Sequence, residues 1–535
     1  MRSVSRRAFL GAPALAAAAL PLAGGQSGKT RIGLVASSHS RLAKPRSLDD
    51  PLDYPAVRDM VWKAIEYGSP RAGSLAAKIR PGSWVVVKPN LGSLPPRESF
   101  VLGDVADLRV TRAVIEYLAT QSRAARITFA EGGTYRRIGD PEPDNVMVQN
   151  GVRVDARTYA WSDEFPGFHG TIGAMLREFG ASFPGKKFDY VDLSYDAARD
   201  SSGAFRWMEV PLSPNGLGAF GEKKVYVPAN TILNCDFLIS IPVMKVHMGC
   251  GITACLKNYV GTAPRMVYAP KGSFSNGDLH RNHSLEGRID SFITDLAAFH
   301  PPDYCVVDGI RGLQFSEHGI GVPDQMIRSN LVLAGEDPVA TDALVALLLG
   351  YRPWDIEFLH MASQRQMGSM DLNDADVTGD DPGRFRRRWA KPKNWYGRCN
   401  REWRLTQDPA ADSQSWQRFT APTDTLHFAR WQRPSSDAAV YRAAVRVIAE
   451  GSRKAFLWVG AHGLLQVFCN GEKVMEEQAV THYRIGQYRK PVELRSGENL
   501  LVFALKPVSE QVDLSVLLAS PENDGGTVDG IRWTA

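Results

Sequence analysis

Short apolar runs alternate with amphipathic stretches over the first two thirds of the chain. Arg31-Ile-Gly-Leu-Val-Ala36 predicts a first strand, and a helical stretch follows from about residue 55 to residue 78, before Pro81-Gly82. Trp84-Val-Val-Val-Lys-Pro-Asn90 reads as a short buried strand stopped by Pro89. Val110, Val114, Ile115 and Leu118 fall on one face of a helix, and Arg126-Ile-Thr-Phe-Ala-Glu131 predicts the next strand. Residues 134–225 are turn-rich and read as an elaboration over the sheet. The rhythm then returns with the apolar run Phe237–Ile241 and a helix whose apolar face is Leu285, Ile289, Phe292, Ile293, Leu296 and Phe299. Strands at Tyr304–Asp308 and Asn330–Ala334 follow, then a helix from Asp337 to Leu349 with an acid at its N-cap and Pro338 in its first turn. This order predicts an α/β fold, a mostly parallel sheet with flanking helices.

The pattern changes after about residue 372. Residues 373–422 are basic and aromatic, with Arg384-Phe-Arg-Arg-Arg-Trp at their centre, and read as a linker. Residues 423–535 alternate in strand fashion, with Asn470-Gly471 as a hairpin turn, and predict a separate all-β sandwich. The phrase Val467-Phe-x-Asn-Gly-Glu-Lys-Val474, with Gly497-Glu-Asn-x-Leu-Val-Phe503 after it, resembles the galactose-binding-like jelly-roll sandwiches attached to many secreted carbohydrate-active enzymes. The resemblance implies that fold, and many such modules only pack against a catalytic partner.

At 535 residues, with 44% hydrophobic and 23% charged residues, the chain has the length and composition of a multidomain globular protein. Residues 1–26 hold Arg2, Arg6 and Arg7 and no acid, followed by an Ala-rich apolar stretch, which resembles a twin-arginine signal peptide. The expectation is a protein exported folded, periplasmic or secreted, with no stable membrane span after signal removal. Beyond residue 26 the chain has 60 basic and 58 acidic residues, so a nucleic-acid partner is not expected. The six cysteines form no Cys-x-x-Cys pair, which leaves an iron–sulfur cluster without an obvious ligand set.

The richest polar segment lies where a buried strand ends: Ile241-Pro-Val-Met-Lys-Val-His-Met-Gly-Cys-Gly-Ile-Thr-Ala-Cys-Leu-Lys-Asn258. Strand carboxyl ends are where open α/β sheets place ligands. Lys88, Lys245 and Lys257 are candidates to share an anion, and Gly249, Gly251 and Thr253 would add donors at a helix start. Asn90, Asn258 and Glu131 add polar groups nearby. His247 is the first candidate for proton transfer, with a hydrogen-bonded core histidine as the bland reading. Asp308, ending a strand before Gly309, would orient His247 or a metal. Asp342 reads as a buried partner of one of the lysines. His280 and His283 are candidate metal ligands, so a divalent metal stays open as a cofactor. No Gly-x-Ser-x-Gly, Walker or His-Glu-x-x-His motif is present.

Taken in order, Val87-Lys-Pro-Asn90, Thr111–Leu118, Ile241-Pro-x-x-Lys-x-His247, Gly251-x-Thr-x-x-x-Lys-Asn258, Val307-Asp-Gly309 and Asp337-Pro-Val-Ala-x-Asp-Ala343 resemble the domain-of-unknown-function 362 family over about residues 80–350. Many members carry a ferredoxin-like segment that is absent here, and relatives tend to have an Asn-Gly-Pro-type loop where this chain has Phe315-Ser-Glu-His-Gly-Ile-Gly321. The expectation is an exported enzyme of unassigned reaction class. It would act on a small anionic substrate, a carboxylate or phosphate or a saccharide-linked anion, with His247, Lys257 and Asp308 catalytic. The alternative is a non-catalytic periplasmic protein that binds an anion or metal.

Overall fold

The computed structural model describes residues 29–534 apart from 71–72, 92–101, 133–145, 150–151, 156–171, 222–223, 269–288, 354–355, 392–401, 409, 411–414, 422–424, 437, 480–486, 509–511 and 522–527. The signal-like residues 1–26, His280, His283 and Leu285 therefore lie outside the described residues.

Eight strands form the first sheet: β1 (Thr30–Ala36), β2 (Trp84–Pro89), β3 (Arg126–Glu131), β4 (Lys187–Asp192), β5 (Phe237–Ile241), β6 (Tyr304–Leu313), β7 (Met326–Gly335) and β8 (Ala375–Gly379). Their order is β8-β1-β7-β6-β5-β2-β3-β4. β7 runs against both of its neighbours, while the other neighbouring pairs are parallel, so the sheet is mixed. A chain that leaves β6 and returns directly through residues 314–325 has no crossover helix, and only an antiparallel partner can be reached that way.

Alternate residues of the strands feed two cores. Helices α1 (Tyr54–Tyr67), α2 (Leu108–Gln121) and α3 (Ile172–Ser182) cover the face bearing Val85, Val87, Ile239 and Val306. Helices α4 (Asp290–Ala297), α5 (Pro338–Leu348) and α6 (Glu357–Gln364) cover the face bearing Val86, Leu238, Cys305 and Val307. Burial on both faces explains why these strands read as continuous apolar runs. Asp337 caps α5 through the amides of Val339 and Ala340, both at 2.9 Å.

The linker reading of residues 373–422 is corrected at both ends. β8 pairs parallel with β1, which places residues 375–379 in the first sheet. Glu402–Thr406 pairs with Gln417–Thr420 and with Tyr441–Ala449, which places those residues in the C-terminal unit. These strands are only four or five residues long and carry polar residues, which leaves a weak alternation in the sequence. That unit has two antiparallel sheets facing one core, which includes Leu405, Val445, Leu457, Val467 and Leu514. Asn470 and Gly471 both have positive φ, 53° and 87°, as a two-residue hairpin turn requires. The Arg352 guanidinium, just beyond α5, donates to the carbonyls of Val528 and Ile531 and so ties the two units together.

The end of β6 is pressed against the segment that carries the candidate site. A Cβ on Gly312 would lie 1.9 Å from the Met244 carbonyl oxygen and 2.9 Å from the Trp389 ring. Backbone cannot yield as a flexible side chain does, so Gly312→Ala should lower the unfolding free energy by about 1–3 kcal/mol, read from the urea midpoint at unchanged m-value. An unchanged midpoint would show that this contact does not hold the two segments in place.

Candidate functional site

The carboxyl ends of β2, β3 and β5 are joined by one buried ion pair. Lys88 Nζ lies 3.0 Å from both Glu131 carboxylate oxygens, 2.9 Å from Asn258 Oδ1 and 2.9 Å from the Pro89 carbonyl. Glu131 also accepts the amides of Leu91 and Gly132, each at 2.8 Å. The Asn258 amide group donates to the Lys88 carbonyl at 2.8 Å and to Ser240 Oγ at 3.0 Å. The turn that bears Asn258 packs directly on the pair: a Cβ on Gly261 would lie 2.4 Å from Glu131 Oε1. Burial pulls Lys88 below the ordinary lysine range, and Glu131 opposes that shift. Lys88 and Asn258, both expected at a ligand, are bonded to each other and to Glu131.

Lys245 is also engaged. Its Nζ donates to the Asp104 carbonyl, to Asp104 Oδ1 at 3.1 Å and to the Glu317 carbonyl at 2.6 Å. Against its burial, Lys245 and His318 together hold the Asp104 carboxyl below its ordinary range. The expected helix start is instead an antiparallel ribbon of Lys245–His247 and Gly251–Thr253, with Lys245 opposite Thr253 and His247 opposite Gly251. Gly251 has φ 86°, which suits glycine at this reversal.

The ribbon turn fixes His247. Its Nδ1 accepts the amides of Gly249 at 3.0 Å and Cys250 at 3.3 Å. Nδ1 is therefore unprotonated, and the Nε2 proton faces Glu317 Oε1 at 3.7 Å. Burial would raise the Glu317 carboxyl, but His247, the Met248 amide and Lys257 hold it down at about 2. With its basic nitrogen occupied, His247 is a donor through Nε2. Of the two sequence readings, proton transfer or a hydrogen-bonded buried histidine, the ribbon contacts describe the second.

Asp308 is not part of this group. Its carboxylate accepts the Asp107 amide at 2.6 Å and the Ile310 amide at 2.9 Å and has no bond to His247. Burial first, and then the Asp107 carboxylate, push it upward. Asp342 accepts the amides of Cys255 and Leu256 at 2.7 and 2.9 Å, and holds that turn instead of a lysine. Among the described residues, no group of three or more His, Cys, Asp and Glu side chains could hold a metal ion, and no helix is long and apolar enough to cross a membrane.

Lys257 is the exception among the three lysines. It is half-buried, opens the turn that carries Asn258, and makes no hydrogen bond or ion pair among the described residues. Burial chiefly, with the ammonium groups of Lys245 and Lys88, pulls it below the ordinary lysine range against the upward effect of Cys250 and Glu317. The oxygens Thr253 Oγ1 and Asn90 Oδ1 are buried with no partner. Sequence reasoning missed Asp104 and Glu317. Glu317 sits in the loop where the chain departs from the 362-family pattern, and that departure was the available signal.

Removing one member of the Lys88–Glu131 pair leaves the other charge buried alone. Lys88→Met or Glu131→Gln should each cost about 3–5 kcal/mol in urea unfolding, and the Lys88→Met/Glu131→Leu double variant less than the sum. Additive losses would mean that the two groups do not act as a unit.

No curated protein matches the chain. Among solved structures, a β-glucosidase from Kluyveromyces marxianus in complex with glucose is 12% identical, with 23% of this chain and 17% of that chain covered at a TM-score of 0.18. The match thus spans about a sixth of the β-glucosidase's length. The CBM35 of Cellvibrio japonicus Abf62 is 17% identical, covering 18% of this chain and 71% of the module at a TM-score of 0.13. A family 35 carbohydrate-binding module from an environmental isolate is 12% identical, covering 19% and 74% at 0.15. Likeness at these TM-scores assigns no activity. Residues 202–346, which hold the ribbon, Lys257 and Asp308, match the family described as Domain of unknown function (DUF362).

Proposed function

We propose that the protein binds a small anion at Lys257 and is an enzyme in which Lys257 exchanges a proton with that ligand. One observation carries the reading: of three lysines gathered at the sheet edge, two are bonded to internal carboxylates and Lys257 is not. A half-buried ammonium bonded to no carboxylate favours an anionic ligand, and its lowered proton affinity suits acid–base work. His247 is then a positioning residue whose Nε2 faces Glu317, the carboxylate nearest Lys257 in effect. Thr253 Oγ1 would donate to the same ligand. The ligand class is a carboxylate or phosphate, on a saccharide or free, and export in the folded state by the twin-arginine route belongs to the same proposal. The β-sandwich would engage a glycan or steady the α/β unit.

A non-catalytic binding protein is the second reading, and the engaged Nδ1 of His247 favours it. Turnover of a bound ligand would exclude it.

Isothermal titration with inorganic phosphate and with acetate tests the anion site. Lys257→Met should weaken binding of whichever ion binds by at least about tenfold. The ligand pairs with the protonated amine, so affinity should hold at low pH and fall as pH rises through the depressed Lys257 value, below the ordinary lysine range. Lys257→Arg should keep its affinity to higher pH. Wild-type affinity in Lys257→Met would remove Lys257 from the site.

A further inference from the structure

The amino ends of β5 and β6 bring together three groups that the anion site does not use. Cys235 closes a short helical turn, Asn230–Asn234, just before β5. His300 and Asp303 precede β6, which pairs parallel with β5. Cys235 Sγ lies 3.8 Å from His300 Nδ1, and His300 Nε2 lies 3.1 Å from Asp303 Oδ2. Further contacts fix this arrangement. Asp303 Oδ2 accepts the Leu238 amide at 2.8 Å, and the Tyr259 hydroxyl donates to the His300 carbonyl. Sγ also lies 3.5 Å from the Ile232 carbonyl, which accepts the thiol proton while the sulfur carries it.

The two ring nitrogens of His300 thus face a carboxylate on one side and the sulfur on the other. Burial works against the imidazolium, but Asp303 and Cys235 raise it to about 10, so the ring is charged at neutral pH. An imidazolium beside a thiol favours the thiolate, which is the nucleophilic form. The cluster sits close to the surface. The His300 and Asp303 side chains are 17% and 32% exposed, and Asn234 and Asp236, on either side of Cys235, are exposed. Cys235 itself is 7% exposed, so a small reagent reaches its sulfur more readily than a bulky one. Acyl transfer is not supported, because the local amides that could hold an oxyanion are occupied. Cys235 donates to the Thr231 carbonyl and Asp236 to the Trp84 carbonyl, each at 3.0 Å.

We infer that Cys235, His300 and Asp303 form a reactive-thiol site at which a small peroxide oxidises Cys235 to a sulfenic acid. The thiolate attacks one peroxide oxygen, the O–O bond breaks, and the departing hydroxide takes the His300 Nδ1 proton and leaves as water. Sulfur is oxidised and the peroxide is reduced, with no further reactant needed. Asp303 is a positioning residue that orients the ring and sustains its charge. The site is independent of the anion reading, which concerns the carboxyl ends of the strands.

The test treats the full-length chain with hydrogen peroxide, traps sulfenic acid with dimedone and reads each cysteine by peptide mass spectrometry. Cys469 is the internal control, since it is also 7% exposed and burial holds its thiol above the ordinary range. In the wild type, Cys235 should be trapped at least about tenfold faster than Cys469. His300→Gln should remove most of that advantage, and Asp303→Asn, which keeps an acceptor for the Leu238 amide, should remove part of it. Trapping at the wholly buried Cys305 reports whether a variant has unfolded. If His300→Gln unfolds, Asp303→Asn decides. Equal rates at Cys235 and Cys469 in the wild type would overturn the inference without recourse to any variant. An unchanged Cys235 rate in a folded His300→Gln or Asp303→Asn protein would do the same, by showing that the contacts serve only the fold.

Discussion

The ion pair between Lys88 and Glu131 holds the site edge of the α/β unit in one shape. It joins two adjacent parallel strands at the point where their ladder ends, and it recruits Asn258 from a turn 170 residues further along the chain. Charges buried this deeply tolerate no loose geometry, since each oxygen and ammonium proton left unsatisfied costs more than a surface pair gains. Here the accounting closes: Glu131 takes the lysine and two backbone amides, and Asn258 bridges the Lys88 carbonyl to Ser240. Lys257 is therefore placed by its neighbour. It follows a residue, Leu256, whose amide is held by Asp342 and precedes one locked onto Lys88.

The same logic separates the site's cations into two kinds. Lys88, Lys245 and Arg109 are each matched by a carboxylate: Glu131 ties β2 to β3, Asp104 ties the ribbon to the segment before α2, and Asp107 pairs with Arg109 within the start of α2 itself. Lys257 makes no such bond, although Glu317 acts on it from nearby. Residue type and burial alone do not separate the two kinds; what differs is whether a carboxylate bonds the cation directly. A fold built for stability alone would bond such a cation or replace it with an apolar residue, so Lys257 marks where the protein departs from its own rule.

Much of this architecture was legible in the chain because burial on both faces of a sheet writes itself as continuous apolar runs. β1, β2, β3 and β5 fall where Arg31–Ala36, Trp84–Pro89, Arg126–Glu131 and Phe237–Ile241 predicted them. The antiparallel course of β7 was not legible, since an apolar strand has the same pattern in either direction. Nor was the pairing of polar groups. Lys88, Lys245 and Lys257 look alike in sequence, and only the fold shows that Glu131 and Asp104 reach the first two. His247 illustrates the limit most directly, because the ring nitrogen that decides its chemistry is set by two amides of the ribbon turn.

The arrangement of carboxylates then constrains what Lys257 can hold. Asp107 and Asp308 meet each other through a backbone amide, with burial and mutual repulsion favouring a proton on Asp308. Glu317, by contrast, stays ionised because His247, the Met248 amide and Lys257 outweigh its burial. One end of the edge therefore has low negative charge available to oppose a ligand, and the other keeps a fixed anion beside Lys257. A ligand that entered near Lys257 would compete with Glu317 for that ammonium, and would succeed only by bringing further hydrogen bonds, which the unpartnered oxygen of Thr253 is able to receive or donate. Selectivity at such an edge follows from the number and placement of polar groups on the ligand, more than from its charge alone.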